Sequence, residues 1–301
     1  MRVAVLLVLA SCGSTQPASP SPSSKDGVRW APMVDSHVHL AYWAVGDELA
    51  KSGIEVAVDL AAPERTLATP PGPLHVLSSG PMLTHPNGYP LDQWGSDGFG
   101  IGCSDEACVT STVDRLAGEG VKVIKIALDD DGLSPALVPA AVREAHAKGL
   151  EVATHALSND SALLAAQAGV DILAHTPVEP LSDATVMAWS KGTVISTLAA
   201  FGGSDSAVEN LRKLRAAGTR VLYGTDLGNL RDAGPSDDEI SLMKKAGMDD
   251  AAIVDAMTTT PLAFWGVDDK DSYLVLAKDP RQDVNALVHP REVYLRGRRL
   301  R

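Results

Sequence analysis

The chain has 301 residues, of which 45% are hydrophobic and 21% are charged, so it can bury a full core and does not have the composition of a disordered protein. Its net charge is -12, with 26 basic and 38 acidic residues spread along the chain, which argues against binding to nucleic acid. The length allows two domains, although an α/β barrel uses about 250 residues as a single domain.

The N-terminus is typical of an export signal. Arg2 precedes an apolar run over residues 3–10 that is too short to span a bilayer. The run ends at Leu9-Ala10-Ser11-Cys12, which resembles the lipobox of bacterial lipoproteins; an ordinary cleaved signal with an incidental cysteine is the alternative. We therefore predict a signal peptide over residues 1–11, lipidation of Cys12 and a Ser/Pro-rich tether over residues 12–27. The protein would be exported and held on the periplasmic or cell-surface face of a bacterial membrane by its lipid alone.

The two other cysteines, Cys103 and Cys108, lie close together in a polar segment. An exported protein meets oxidising conditions, so a disulfide between them is one expectation and a pair of free thiols is the other. Their spacing does not match a Cys-x2-Cys metal site, and no cysteine follows them.

Short apolar runs alternate with longer helical patterns through most of the chain, as in a parallel sheet covered by helices. Helices are expected over residues 135–148, 158–168, 182–191 and 206–217, with Ser158, Ser182 and Ser206 as N-caps and glycines after three of them. Eight runs are predicted as strands, over residues 33–34, 55–60, 74–77, 121–128, 150–153, 172–173, 193–198 and 220–223. The fold class is thus α/β, a (β/α)8 TIM barrel over residues 28–268 with C-terminal strands over residues 269–301.

Polar residues suited to metal chemistry stand at the ends of these runs. His37 and His39 follow the first run, and residues two apart on a strand face the same side. The other candidates are Lys125 inside the fourth run, His155 after the fifth, His175 after the sixth and Asp226 after the eighth. Active sites of such barrels lie at the carboxyl ends of the strands, so these residues are expected to meet.

Imidazole nitrogens and a carboxylate suit a first-row divalent ion, with zinc as the first choice and manganese, iron or cobalt as alternatives. A lysine in an apolar run must be neutralised, and Lys125 as a neutral amine would react with CO2 to form a carbamate that can bridge two metals. Lys122 competes for that role, but the Ile-Lys-Ile context favours Lys125.

From residue 33 onward the chain resembles the metal-dependent amidohydrolase superfamily, in its imidazolonepropionase-like and Xaa-Pro dipeptidase-like branch. The stretches Val123-Ile-Lys-Ile126, Ala145-His-Ala-Lys-Gly-Leu-Glu-Val-Ala-Thr-His155 and Ala168-Gly-Val-Asp-Ile-Leu-Ala-His175 carry the likeness. The resemblance implies two divalent cations. One would be bound by His37, His39 and Asp226, the other by His155 and His175, and carboxylated Lys125 would bridge them.

The resemblance also implies hydrolysis of a C–N bond in an amide, cyclic amide or dipeptide, rather than in a protein. A hydroxide shared by the two cations would attack the carbonyl, and Asp226 would accept its proton and return it to the leaving group. A mononuclear deaminase-like site, which would not need Lys125, is the alternative within this chemistry. Lactone or phosphoester hydrolysis, a non-catalytic metal- or ligand-binding lipoprotein, and a structural component with residual histidines also stay open.

The chain departs from the family near the His-x-His motif, because the usual block of N-terminal sandwich strands is absent. Its C-terminal counterpart is predicted as strands over residues 273–277, 284–288 and 293–295, whose edges need cover from the chain or from a partner subunit. His85 is assigned to the substrate pocket or to a Pro/Gly turn, and Trp94 and Phe99 to a lid or a mobile loop. The expected partner is a small-molecule substrate, and a homo-oligomer is left open.

Overall fold

The computed structural model describes residues 27–68, 73–129, 131–268 and 270–301. The signal peptide, Cys12 and all but the last residue of the tether lie outside the described residues, so these assignments stay predictions. Within those ranges, no helix has both the length and the apolar character needed to cross a lipid bilayer.

Short strands and helices alternate through the described chain. The strands are β1 (Val28–Trp30), β2 (Met33–Val38), β3 (Ile54–Asp59), β4 (His75–Ser78), β5 (Met82–Thr84), β6 (Gly100–Gly102), β7 (Val123–Ala127), β8 (Glu151–His155), β9 (Ile172–Leu173), β10 (Thr193–Ile195), β11 (Arg220–Leu222), β12 (Tyr273–Leu276), β13 (Glu292–Leu295) and β14 (Arg298–Arg299). The helices are α1 (Gly46–Ser52), α2 (Glu64–Leu67), α3 (Glu106–Gly118), α4 (Val138–Ala147), α5 (Asn159–Ala168), α6 (Asp183–Ala188), α7 (Asp205–Ala217), α8 (Asp237–Lys245), α9 (Asp250–Met257), α10 (Thr259–Phe264) and α11 (Asn285–Val288), with a 3₁₀ turn at Ala199–Phe201.

The strands form a parallel barrel with eight strand positions, which we call staves and number from one to eight in chain order. The predicted fold class is confirmed. Staves one and two are β2 and β3, and stave three is split into β4, which pairs with β3, and β5, which pairs with β7. Staves four to eight are β7, β8, β9, β10 and β11, paired in chain order. Backbone hydrogen bonds from Ser36 N to Tyr223 O (2.9 Å) and from Asp226 N to His37 O (2.8 Å) close stave eight against stave one.

Several predicted boundaries differ from the structure. The first predicted strand, which is β2 in the structure, continues to Val38. His37 therefore lies within this strand and not after it. The seventh strand ends at Ile195 instead of residue 198, because Thr197 takes a positive φ of 38° and turns the chain away from the sheet. The prediction of Ser206 as an N-cap is wrong: Ser204 caps α7 by accepting from Ala207 N, and the Ser206 hydroxyl donates to Val178 O. Ser158 and Ser182 are N-caps as predicted.

An apolar core fills the barrel below the strand ends. Inward side chains from most of the staves, among them Val34, Val56, Val123, Ile195 and Leu222, form one buried cluster. The chain from α10 onward closes the amino-terminal end, where Leu262, Phe264, Trp265 and Val267 pack against that cluster. The predicted metal-site residues lie at the opposite end, at or after the carboxyl ends of the strands.

The C-terminal strands form a small antiparallel sheet in the order β1, β12, β13, β14. Val28–Trp30, just before the barrel, pairs with β12 and covers the edge that the sequence leaves open, and β14 covers the edge of β13. The predicted strand over residues 284–288 is wrong, because Asn285–Val288 is helical. Ala286, Leu287 and Val288 are all buried, whereas a strand with one buried face would alternate, and the Asp283 carboxylate accepts from Asn285 N at the helix start.

Cys103 and Cys108 are joined by a disulfide at the start of α3. Cys103 is buried, and the Asp105 side chain caps α3 by accepting from Cys108 N (2.8 Å). The bond therefore attaches the end of β6 to the first turn of the helix that follows.

Glu239, on α8, is a buried carboxyl that supports the segment after β10. Its Oε2 accepts a hydrogen bond from Ala199 N at 2.7 Å, and burial raises its pKa from 4.5 to about 7 in spite of hydrogen bonds that lower it. A carboxyl whose pKa is higher in the folded chain than in the unfolded chain favours folding when protonated.

We expect Glu239→Gln to change how stability depends on pH. In the wild type, the stabilising contribution of the protonated carboxyl is present below pH 4.5 and is lost as the pH rises through about 7. The variant should match the wild type near pH 4.5 and exceed it at pH 8 by up to about 3 kcal/mol in the free energy of unfolding. Urea unfolding at several pH values measures this, with the exposed Glu48→Gln as control; parallel pH profiles for all three proteins would contradict it.

Candidate metal centre

The six predicted metal-site residues come together at the carboxyl end of the barrel, and all are buried. Neighbouring imidazole rings are separated by 5.1 Å for His37 and His39, 4.5 Å for His37 and His175, and 4.9 Å for His155 and His175, measured between ring centroids. The four histidines thus form a continuous row. Burial lowers the pKa of His37, His155 and His175, and the charge of Lys125 contributes to the lowering in each. Burial also lowers the pKa of Lys125, while the Asp226 carboxylate raises it.

The hydrogen bonds of His37 define which nitrogen is free. Its Nδ1 lies 2.8 Å from the carbonyl oxygen of Ala174, which can only accept, so Nδ1 carries the proton and Nε2 carries a lone pair. That Nε2 is buried without a hydrogen-bond partner. A buried lone pair held in this way is the arrangement that a metal-binding histidine needs.

Asp226 directs one carboxylate oxygen at the histidine pair. Its Oδ1 lies 3.5 Å from His37 Nε2 and 3.0 Å from His39 Nε2, while Oδ2 accepts from the amide of Asn229 at 2.8 Å. Ligand atoms of His37, His39 and Asp226 all lie within 4.8 Å of one another. Burial raises the pKa of Asp226, but His37, His39 and Asn229 lower it by a larger amount. The net pKa is below its ordinary value, so the carboxylate is ionised.

The buried Asp35 holds this group together. Its carboxylate accepts from His37 N (3.1 Å), from Thr225 N (3.0 Å) and from the Thr225 hydroxyl (2.5 Å). It therefore connects the strand that carries the histidines to the loop that carries Asp226. Burial raises the pKa of Asp35 to about 7, against the lowering effect of these hydrogen bonds.

Two glycines let the Asp226 loop approach the histidines closely. A Cβ on Gly224 would lie 2.4 Å from Ile195 and 3.1 Å from the His37 Cβ. A Cβ on Gly228 would lie 2.7 Å from the His39 Cβ, and Gly228 has φ +122°, which favours glycine. Side chains at these positions would push the loop away from the histidine pair.

His155, His175 and Lys125 form the other half of the site. His175 Nδ1 lies 3.0 Å from the Thr197 hydroxyl, which leaves its Nε2 facing the cluster. His155 Nδ1 and Lys125 Nζ are buried without hydrogen-bond partners. Burial lowers the pKa of Lys125 to about 7, and burial together with the Lys125 charge lowers the pKa of His155 to about 4. The imidazoles are therefore neutral, the form that binds metals.

The donor set fits divalent cations. Buried nitrogen and oxygen atoms without hydrogen-bond partners are costly, and four of them belong to the predicted ligands: His37 Nε2, His155 Nδ1, Asp226 Oδ1 and Lys125 Nζ. Imidazole nitrogen with carboxylate oxygen is the chemistry that zinc and its first-row neighbours accept. The group of His155 and His175 lacks an anionic ligand of its own unless Lys125 supplies one.

Aromatic rings surround the histidines. Trp94 lies over His39 at 5.1 Å, Tyr89 over His155 at 4.6 Å and Phe201 over His175 at 4.8 Å, measured between ring centroids. Trp94 also contacts Phe99 at 5.6 Å, so both residues of the predicted lid belong to this aromatic layer. Sequence reasoning missed Tyr89, Phe201 and Thr197, because no local pattern distinguishes them from ordinary loop residues.

His85, predicted for the pocket or for a turn, has the turn role in the structure. It is half-buried, and its Nδ1 accepts a hydrogen bond from Asn87 N within the segment after β5. Its assignment to the substrate pocket stays a prediction. Asp35 was also missed as a supporting residue, although it stands in the same Asp-Ser-His-Val-His stretch as the histidines. Asp59, at the end of β3, was missed as well; its Oδ2 accepts a hydrogen bond from Ala41 N at 3.0 Å, two residues after His39.

Sequence comparison finds relatives without an assigned activity. Uncharacterized proteins of Mycobacterium tuberculosis and Mycobacterium bovis are 28% identical to this chain over 351 aligned positions, which cover 95% of this chain and 89% of the relative. No family model matches the sequence.

Structural comparison finds the same fold in solved amidohydrolases. A Xaa-Pro dipeptidase with methionine bound in its active site superposes with a TM-score of 0.74 and 16% identity over 91% of this chain and 87% of that one. An amidohydrolase gives 0.74 and 18% over 95% and 90%, and the ochratoxinase of A. niger gives 0.74 and 18% over 91% and 83%. At these identities the likeness establishes the fold, and the expected (β/α)8 barrel is confirmed.

We expect Gly228→Ala to disrupt the metal centre. The substitution places a Cβ 2.7 Å from that of His39 and imposes φ +122° on alanine. Zinc affinity should fall at least about tenfold, as for loss of a supporting contact to a ligand. Gly120→Ala is the matched control, because Gly120 also has a positive φ (+84°) but has open space around it. Zinc titration of both variants is the measurement, and equal affinities would show that close approach to His39 is irrelevant.

Proposed function

We propose that this protein is a metal-dependent amidohydrolase that hydrolyses a C–N bond of a small molecule. The observation that carries the proposal is the set of buried donor atoms without partners on His37, His155, Asp226 and Lys125, at the strand ends where barrel enzymes act. The shared fold with a Xaa-Pro dipeptidase and an ochratoxinase supports the same reaction class.

Asp226 is the proposed proton carrier. It is ionised, and its Oδ2 is held by the Asn229 amide while Oδ1 faces the histidine pair. It can therefore accept a proton from the attacking water and deliver it to the leaving nitrogen. Divalent cations in this site would supply a polarised carbonyl and a water of lowered pKa. His37 and His39 would hold one cation with Asp226, and His155 and His175 would hold the other.

Lys125 is the proposed bridge between the two cations. Its amine is buried, without a hydrogen-bond partner and with a pKa lowered to about 7 by burial, so a neutral and nucleophilic form is accessible. Reaction with CO2 would convert this amine into a carbamate and release a proton. The anion would give His155 and His175 the oxygen ligand that their group otherwise lacks.

We expect the wild-type chain to hold close to two equivalents of zinc and Lys125→Ala to lose at least one. The reason is that alanine removes the amine that would become the bridging carbamate. Lys122→Ala is the matched control, because Lys122 is exposed on the same segment and should leave both metals in place. Metal analysis by mass spectrometry after dialysis against zinc is the measurement. A wild-type chain that retains no metal would refute the proposal.

We expect Asp226→Asn to retain some metal and to lower kcat by at least about a hundredfold, the usual size of a general-base contribution. The amide keeps an oxygen toward the histidine pair but cannot accept the proton. Asp232→Asn, which changes an exposed carboxylate of the same loop, serves as the control. Turnover is measured on a panel of N-acyl amino acids, dipeptides and cyclic amides, and unchanged turnover in Asp226→Asn would remove Asp226 from the proton role.

A further inference from the structure

The chain places a large share of its few aromatic residues around the metal centre. It has 5 Trp, 5 Tyr and 3 Phe, or 4% aromatic residues, all within the described ranges. Five of these thirteen rings make up what we call the aromatic collar: Tyr42, Tyr89, Trp94, Phe99 and Phe201. Three of them lie directly over metal-site histidines. Tyr89 and Trp94 also pack with Ala61, Met82 and Ala127 in a small apolar cluster that is separate from the main core of the barrel.

The collar covers the histidines from two opposite sides. Tyr89, Trp94 and Phe99 follow β5 in the third stave, and Phe201 follows β10 in the seventh stave. Staves three and seven are four apart in a ring of eight and so face each other across the barrel. Trp94 covers His39, while Phe201 covers His175 and lies 6.3 Å from His155. The aromatic rings therefore contact the row of histidines at both of its ends, at His39 and at His155 with His175.

The aromatic collar is mostly apolar. The Trp94 indole N–H, one of its few polar groups, donates a hydrogen bond to the Tyr89 hydroxyl at 3.2 Å, so this polar group is already paired within the collar. Trp94 and Phe201 are only half-buried, so part of the surface of each ring is open. Half-buried aromatic faces beside a polar centre bind planar apolar groups by stacking and edge contacts.

We infer that the aromatic collar is the subsite for an uncharged, planar apolar group next to the scissile bond, so that the substrate class is amides carrying an aromatic ring. The inference rests on the proposed hydrolase function and narrows its substrate. The ring of the substrate would lie between Trp94 and Phe201, with the amide over the histidines. The reaction is an ordinary hydrolysis: water adds to the carbonyl, the C–N bond breaks, and the amine leaves with the proton.

The first test compares substrates that differ only in the ring, using the zinc-loaded full chain. N-acetylglycine, N-(cyclohexylacetyl)glycine and N-(phenylacetyl)glycine vary the acyl side, and N-methylacetamide, N-(cyclohexylmethyl)acetamide and N-benzylacetamide vary the amine side, with a CH2 group that keeps the ring from changing the reactivity of the amide. We expect kcat/KM for the aromatic member of at least one series to exceed the methyl member by at least about tenfold and the cyclohexyl member by about threefold. Hydrolysis without aromatic preference in either series would overturn the inference and leave the hydrolase function standing.

The second test measures binding without turnover. Benzylphosphonate should bind to the zinc-loaded chain at least about tenfold more tightly than methylphosphonate, with a change in Trp fluorescence that Trp94→Leu removes. Phe201→Leu should reduce the affinity ratio at least about threefold. Phe264→Leu, a half-buried phenylalanine at the opposite end of the barrel, is the matched control and should leave it unchanged.

The two tests separate the possible failures. Preferential binding of benzylphosphonate by a chain that hydrolyses no amide would overturn the hydrolase function and retain the aromatic subsite. Equal affinity for the two phosphonates, or equal effects of Phe201→Leu and Phe264→Leu, would overturn the subsite and assign the collar to shielding of the histidines.

Discussion

The closure of stave eight against stave one is the constraint on which the site depends. His37 and Asp226 are far apart in sequence, and the backbone bond between them, at 2.8 Å, sets their relative position. The buried Asp35 reinforces the closure through both the amide and the hydroxyl of Thr225. Gly224 and Gly228 then permit an approach that a Cβ would prevent. Without this contact the histidine pair would face an open seam.

Buried polar atoms without hydrogen-bond partners lower the folding stability at the strand ends of the barrel, and the apolar core must offset this loss. Burying polar atoms without partners costs roughly 1–3 kcal/mol for each group, and more for a charged one. The site collects several such atoms, together with positive φ angles at Thr197 and Asp226. Such clusters are typical of functional positions, where the binding of a cation or a ligand recovers the cost. The apolar cluster below the site supplies the rigid support.

The polar atoms of the site and most of the aromatic rings around them come from different staves. The donor atoms belong to staves one, four, five, six and eight, and the aromatic rings that face each other belong to staves three and seven. The segments after β5 and β10 also support the histidines, because Tyr89 packs on His155 and the Thr197 hydroxyl contacts His175 Nδ1. Glu239 on α8 holds the start of the 3₁₀ turn that carries Phe201, so the position of that ring depends on a helix outside the barrel wall.

The sequence by itself determined the periodic features. The two-residue spacing of His37 and His39, and the polar residues at the ends of apolar runs, follow from local geometry, so the barrel and the six clustered residues could be predicted. Only the tertiary structure decided which segments pair. Val28–Trp30 joins the C-terminal sheet, residues 284–288 form a helix instead of a strand, and Tyr89 and Phe201 meet histidines from opposite staves. The physical reason is that periodicity defines the face a residue presents, whereas long-range packing selects the partner that covers it.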